Sequence, residues 1–225
     1  MIRARPLVVA IDGPSGSGKS TVARAVAQQL ALPVLDTGAM YRAVTLAALE
    51  AGADLHDENK CAEIARSSDV HVEQGATTLN GRDVSADIRG PGVTAAVSAV
   101  SAHPSVRAVL VARQREWVAT HGGAVVEGRD IGTVVFPDAP VKVFLTADDA
   151  ERARRRQRDE RAAHRDVDVD EVRARLERRD TLDSQRAASP LRAADDALLI
   201  DTTTLDVDTV VTDIVARARA AEVGS

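Results

Sequence analysis

The sequence predicts an α/β fold: a doubly wound, five-stranded parallel sheet with helices on both faces, interrupted by a small antiparallel β insertion. Three observations predict it. Five short, largely aliphatic runs recur along the chain, and the first, Leu7–Ile11, is apolar throughout rather than alternating, which marks a parallel strand buried on both faces. Segments with apolar residues at helical spacing separate them. One interval, residues 69–90, switches instead to alternation around an Asn-Gly pair, the signal of a hairpin. A length of 225 residues corresponds to about one and a half domains, so one core with an insertion fits better than two independent units.

Taken in order, the first run is Leu7-Val8-Val9-Ala10-Ile11, followed by a glycine-rich turn and a helix over Ser20–Leu30. Pro33-Val34-Leu35 forms a short second strand ending at Asp36, and Gly38–Ala51 is an alanine-rich helix with another over Asp57–Ser67. Val70-His71-Val72-Glu73 then alternates, Thr77-Thr78-Leu79 is β-branched, and Asn80-Gly81 suits the positive-φ positions of a tight turn. Helices follow over Gly92–Ala102 and Ser105–Thr120, with Pro104 at the start of the second. Strand runs resume at Ala124–Val126, Val141–Leu145 and Ala197–Ile200, and a last helix spans Val207–Ala221. Residues 151–192 carry 13 arginines against 10 acids and read as a helix pair laced by i,i+4 pairs such as Glu151 and Arg155. No internal repeat is present.

Composition narrows the partners. Aromatics are only 2% of the chain (Tyr41, Trp117, Phe136 and Phe144), which excludes nucleic-acid binding on a stacked aromatic platform. A net charge of −5 gives no global attraction to a polyanion or an acidic membrane. Neither nucleic acid nor membrane is expected as a partner, and the acidic surface leans toward a monomer. The single Cys61 forms no internal disulfide and suits a reducing compartment. Met1–Pro6 resembles the basic start of a signal peptide, but the apolar run after it is too short, so a cytoplasmic location is expected. The five histidines show no metal-ligand spacing.

One motif carries chemistry by itself. Gly13-Pro14-Ser15-Gly16-Ser17-Gly18-Lys19-Ser20, with Thr21 next, fits G-x-x-x-x-G-K-[ST] without a gap, a match expected by chance on the order of once in a thousand such chains. A buried strand precedes it and a helix follows, as a phosphate cradle requires. Glycines let successive N–H groups converge on phosphate oxygens, and the helix adds its positive dipole end. Lys19 is placed to reach the β- and γ-phosphates, and the Ser20 hydroxyl to ligate Mg2+ carried by ATP. No N-K-x-D stretch for guanine reading accompanies the motif, which leaves a small phosphotransferase as the best fit for a chain of this size.

Two further polar constellations lie at strand ends, where open parallel sheets place their ligands: Asp36 to Arg42, and Glu127 to Thr133. With these segments the chain resembles the bacterial cytidylate kinases, from near Leu7 to the last helix. The likeness rests on IDGPSGSGKST from Ile11, LDTGAMYRA from Leu35, LNGRDVSADIR from Leu79, EGRDIGTVVFPDAPVKVFLTA from Glu127 and RDTLDSQRAASPL from Arg179.

That resemblance implies a P-loop fold and transfer of the ATP γ-phosphoryl group to CMP or dCMP. It places the acceptor phosphate on Thr37, Tyr41, Arg42 and Arg129, the cytosine on Ser98, Arg107, Asp130 and Arg186, and the ribose near Arg179 and Asp183. It makes 69–102 an inserted monophosphate-binding subdomain and 151–180 an Arg-rich helical lid within one domain, 1–225. Arg152, Arg155 and Arg156 lie at i, i+3 and i+4 and are expected to present one face to the transferred phosphoryl group.

Overall fold

The computed structural model describes residues 6–73 and 75–223; Met1–Arg5, most of the leader-like stretch, lies outside them. In chain order the elements are β1 (Leu7–Asp12), α1 (Lys19–Leu30), β2 (Val34–Asp36), α2 (Thr37–Glu50), α3 (Glu58–Ser67), β3 (Val70–Glu73), β4 (Ala76–Leu79) and β5 (Arg82–Asp83). A short 3-10 turn at Asp87–Arg89 leads into α4 (Pro91–Ala102), α5 (Pro104–His121) and β6 (Gly123–Gly128). A π-helical turn at Ile131–Val135 precedes β7 (Val141–Thr146), α6 (Asp149–Ala162), α7 (Val169–Ser184), β8 (Leu198–Asp201) and α8 (Val207–Val223). Outside the Arg-rich stretch, expected and observed boundaries differ by about two residues at most; there the helix pair ends at Ser184, short of the expected 192.

The main sheet has the order β2-β6-β1-β7-β8 with every pairing parallel, as expected. The central strands β1 and β6 are apolar on both sides because each feeds two cores. Val8, Ala10, Ala124 and Val126 pack toward α2, α3 and α5. Their neighbours Val9, Ile11, Val125, Val143 and Leu145 pack toward α1 and α8. The aliphatic alternation of a single strand therefore knits the two layers together. β8 departs from the expectation of burial on both faces: it is an edge strand, and Leu199 is 65% exposed.

The residues around Asn80-Gly81 form a second sheet, β3-β4-β5, antiparallel throughout. Asn80 and Gly81 take φ of 51° and 79°, the two positive values that the turn demands. Val72, Leu79, Val84 and Ile88 of this region join the same core as α2 and α5. By contrast α6 and α7 share a small buried apolar cluster, Ala153, Val172 and Leu176, and the Arg152–Asp180 ion pair bridges them.

Register places the chemistry. Asp12 lies opposite Gly128, and Asp36 opposite Glu127, so the C-terminal ends of three neighbouring strands finish level. The chain leaves them at the switch point of the sheet, where crossovers depart in opposite directions and a crevice opens.

Candidate active site

The donor loop starts where β1 ends. Gly13 has φ +146°, and a Cβ there would stand 2.1 Å from the Leu145 carbonyl oxygen, so no side chain fits. Gly18, at φ 88° and ψ 5°, turns the chain into α1, whose N-terminus carries no side-chain cap and no acid in its first turn. Its leading N–H groups are left for an anion. Pro14 O accepts from Lys19 Nζ at 2.6 Å and from Ser17 Oγ at 3.0 Å, which folds the loop around the lysine. Burial and the Arg129 charge hold the Lys19 ammonium well below its usual range, against the pull of Glu127. Thr21 stands outside this cradle, with its side chain exposed.

Across the crevice lies a wall of guanidinium groups. One cleft of ≈ 180 Å³ is lined by Ser15, Lys19 and Ser20 on one side and by Thr37, Tyr41, Arg42, Arg107, Arg129 and Asp130 on the other, with Arg156, Arg179, Asp183 and Arg186 closing it. Asp36 caps α2 by accepting the Ala39 N–H at 3.0 Å, which sets the helix carrying Tyr41 and Arg42. Thr37 Oγ1 donates to the Glu127 carbonyl at 2.7 Å and ties α2 to β6. Arg42 Nη1 reaches the Ile88 carbonyl and Thr94 Oγ1, both at 3.0 Å, and so joins α2 to the inserted segment.

Positive charge is concentrated beyond what the local acids balance. Burial and the neighbouring Arg179, Arg156 and Arg89 bring Arg42 down to about 9. Burial and Arg129 bring Arg179 down to about 10. Burial raises the Asp183 carboxyl, but Arg129, Arg179 and Arg186 overcome it and hold the group below its usual range. A phosphate entering this cluster relieves the repulsion, the electrostatic signature of an anion receptor.

Deeper in the cleft Asp130 meets Arg107, which also lies over the Tyr41 ring at 5.2 Å. Arg129 Nε binds Asp183 Oδ2 at 2.9 Å, and its Nη1 donates to the Gly13 carbonyl at 3.0 Å. That last bond joins the guanidinium wall directly to the donor loop. Ser98 is placed differently: it lines a neighbouring cavity of ≈ 420 Å³ with Arg156 and Arg179, while Ser101, one turn further along α4, faces the main cleft.

The three arginines expected on one lid face have separate surroundings. Arg152 is 5% exposed and is held by Asp149 at 2.6 Å, Asp180 at 2.5 Å and the Ser15 carbonyl at 3.0 Å. Arg155 turns to Thr202, donating to its Oγ1 at 2.9 Å and its carbonyl at 2.6 Å. Only Arg156 of the three reaches the cleft, pinned by Glu160 at 2.7 Å. The first turns of α6 are thus seated on the phosphate loop, and the Arg152 backbone carbonyl would lie 2.8 Å from a Cβ at Gly16.

Residues to which the motifs assigned no role also belong here. Glu127 Oε2 accepts from Ser20 Oγ at 2.7 Å, and burial together with Asp36 pushes its carboxyl up. Arg89 lines the cleft and pairs with Asp36 at 3.4 Å. A lone acid ending a buried strand was the available signal for Glu127, but only the strand order shows that it faces Ser20. Among the described residues no cluster of three or more His, Cys, Asp or Glu forms a metal site.

A P-loop facing a guanidinium-lined pocket across one sheet edge defines a small-molecule phosphotransferase. Comparison narrows the class. The cytidylate kinase family model matches residues 9–220. A cytidylate kinase of Mycobacterium avium is 54% identical over 200 residues, covering 87% of this chain and 88% of that protein. One of Geobacillus kaustophilus is 47% identical over 211 residues, covering 92% and 94% respectively. The chain belongs to the cytidylate kinase family. A crystal structure of an uncharacterized protein from Eubacterium ventriosum shares the fold at a TM-score of 0.55 and 13% identity, covering 95% of this chain and 99% of that one.

Proposed function

We infer that this enzyme transfers the γ-phosphoryl group of ATP to the 5′-phosphate of CMP, giving ADP and CDP, and accepts dCMP in the same pocket. The observation that carries this reading is the single cleft shared by Lys19, Arg42, Arg129 and Asp130. A nucleoside monophosphate brings its own nucleophile: with a second pKa of about 6, the phosphate oxygen is already anionic near neutral pH. No general base is required. The obstacle is the meeting of two polyanions, which is a problem of positioning and charge.

The P-loop amides and Lys19 hold the donor phosphates. Arg42 and Arg129, with Thr37 and Tyr41, hold the acceptor phosphate, while Arg156 brings lid charge to the gap between them. Ser20 and Glu127 offer two hard oxygens 2.7 Å apart, a donor pair that suits magnesium, which keeps most of its waters. Bound with ATP, magnesium supplies neutralisation of phosphate charge. Asp130 reads the cytosine: the exocyclic amine donates to a carboxylate, whereas the uracil carbonyl would leave that buried carboxylate unmatched. Arg107 and Arg186 orient Asp130 and the base, and Arg179 and Asp183 take the ribose side. We read the chain as a monomer working on free nucleotides, and its lone, buried Cys61 suits a reducing compartment such as the cytoplasm.

A coupled ADP-release assay across CMP, dCMP, UMP, AMP and GMP tests this. CMP and dCMP are expected to be the best acceptors. ATP hydrolysis indifferent to any monophosphate, or faster turnover with AMP, would contradict it.

A further inference from the structure

We propose that Asp12 is a positioning residue for acceptor recognition, its carboxylate fixing the turn that presents Arg129 and Asp130 to the substrate. The inference rests on the reading of Asp130 as the cytosine-binding carboxylate.

Asp12 ends β1, is 4% exposed and does not line the cleft. Its two oxygens are used on two consecutive residues of one turn: Oδ1 accepts the Ile131 N–H at 2.8 Å and Oδ2 the Gly132 N–H at 2.7 Å. These are the first two N–H groups of the π-helical turn that follows Asp130. The other end of that turn is tied by a second charge, since Arg115 donates to the Val134 and Val135 carbonyls at 2.8 Å each. Asp130 itself closes the turn, its carbonyl accepting from Val134 N–H at 2.9 Å and from Val135 N–H at 3.2 Å. Immediately after Asp12, the Gly13 carbonyl takes Arg129 Nη1 at 3.0 Å.

Asp12, the last residue of β1, and Gly13, the first of the donor loop, therefore index both sides of the acceptor turn. A carboxylate suits the task because it is acceptor-only. An asparagine of the same size offers a single carbonyl, and its NH2 would face an N–H, leaving a buried donor unmatched. Burial of the Asp12 carboxyl is unfavourable in isolation, and the Ile131 and Gly132 N–H groups offset that cost.

Steady-state kinetics of Asp12→Asn, with ATP, CMP and UMP varied separately, decide the matter. KM for CMP should rise about tenfold, and the CMP over UMP preference in kcat/KM should fall by about the same factor, while KM for ATP stays within about twofold. A selective rise in the ATP KM with the preference intact would make Asp12 a donor-loop residue and overturn the proposal. So would unchanged constants throughout. Asp130→Asn separates the two ideas. If it erodes the preference while Asp12→Asn does not, base reading stands and positioning falls. If it leaves the preference intact, base reading falls, and the CMP KM of Asp12→Asn alone judges positioning. Should Asp12→Asn fail to fold, amide exchange in the unaltered enzyme takes its place: the Ile131 and Gly132 N–H groups are expected among the protected amides, and rapid exchange at both would overturn the proposal.

Discussion

The two halves of the cleft are built from different material. The donor loop is contiguous, Gly13 to Ser20, and its receptor groups are main-chain amides fixed by glycine conformations and a helix start. The acceptor wall draws on α2, the segment after β6, α5, α6 and α7, and its groups are side chains that hold one another through pairs such as Arg129–Asp183 and Arg107–Asp130. A main-chain receptor survives most substitutions outside its glycines and its lysine. A side-chain receptor is only as good as the network that orients it, so its losses should be graded and spread over many positions.

The largest effect that sharpens this contrast is at Lys19. Lys19→Ala should lower turnover about 10³-fold with the far-UV spectrum unchanged, because the lysine is a charge inside a preformed cradle. Near-normal turnover would break the donor assignment. Next comes Arg129→Met, expected to lower kcat about 10²-fold and to raise KM for CMP more than for ATP. A loss below about threefold would leave it as a strut between Gly13 and Asp183.

The lid arginines provide an internal test of position. Arg152 is buried among Asp149, Asp180 and the Ser15 carbonyl, so Arg152→Met should lower the stability measured by urea unfolding by about 2–3 kcal/mol. Arg156, facing the cleft, should instead lose about tenfold in kcat on replacement by Met, with little change in unfolding. Equal effects on both measurements would erase the distinction between α6 as anchor and α6 as lid.

Much of the fold was legible in the sequence for a simple reason. Val8 to Ile11 is an unbroken aliphatic run because β1 packs on two layers, and local pattern reports that directly. The P-loop was legible because its chemistry lies in consecutive residues. Glu127 and Asp12 lie in the quoted motifs but were given no role, since each acts on a residue more than a hundred positions away and only strand order brings the partners together. The π-helical turn at Ile131–Val135 has no periodicity of its own; Asp12 and Arg115 hold it from outside. Helical spacing put Arg152, Arg155 and Arg156 on one face, but partners on α7, Thr202 and the P-loop divide them.

The smallest expected effect is a pH dependence of stability. Burial, opposed by the Gly132 and Ile131 N–H groups, pushes Asp12 up to about 6. The folded protein then keeps that proton to higher pH than the unfolded chain does. The contribution is complete below about pH 4 and is lost as pH rises through about 6. Relative to Asp12→Asn, which does not titrate, the unaltered protein should lose about 2 kcal/mol between pH 4 and pH 6 in paired unfolding curves. Parallel curves would mean that the carboxyl is not desolvated.

In the proposed reaction a main-chain receptor and a guanidinium receptor open into one cleft and engage two nucleotides at once. Calorimetric binding of a bisubstrate compound, cytidine and adenosine joined through their 5′ positions by five phosphates, tests this most directly. Both halves should bind together, giving a Kd at least about 10²-fold tighter than that of ATP, with the gain lost in either Lys19→Ala or Arg129→Met. A Kd no tighter than that of ATP alone would contradict it.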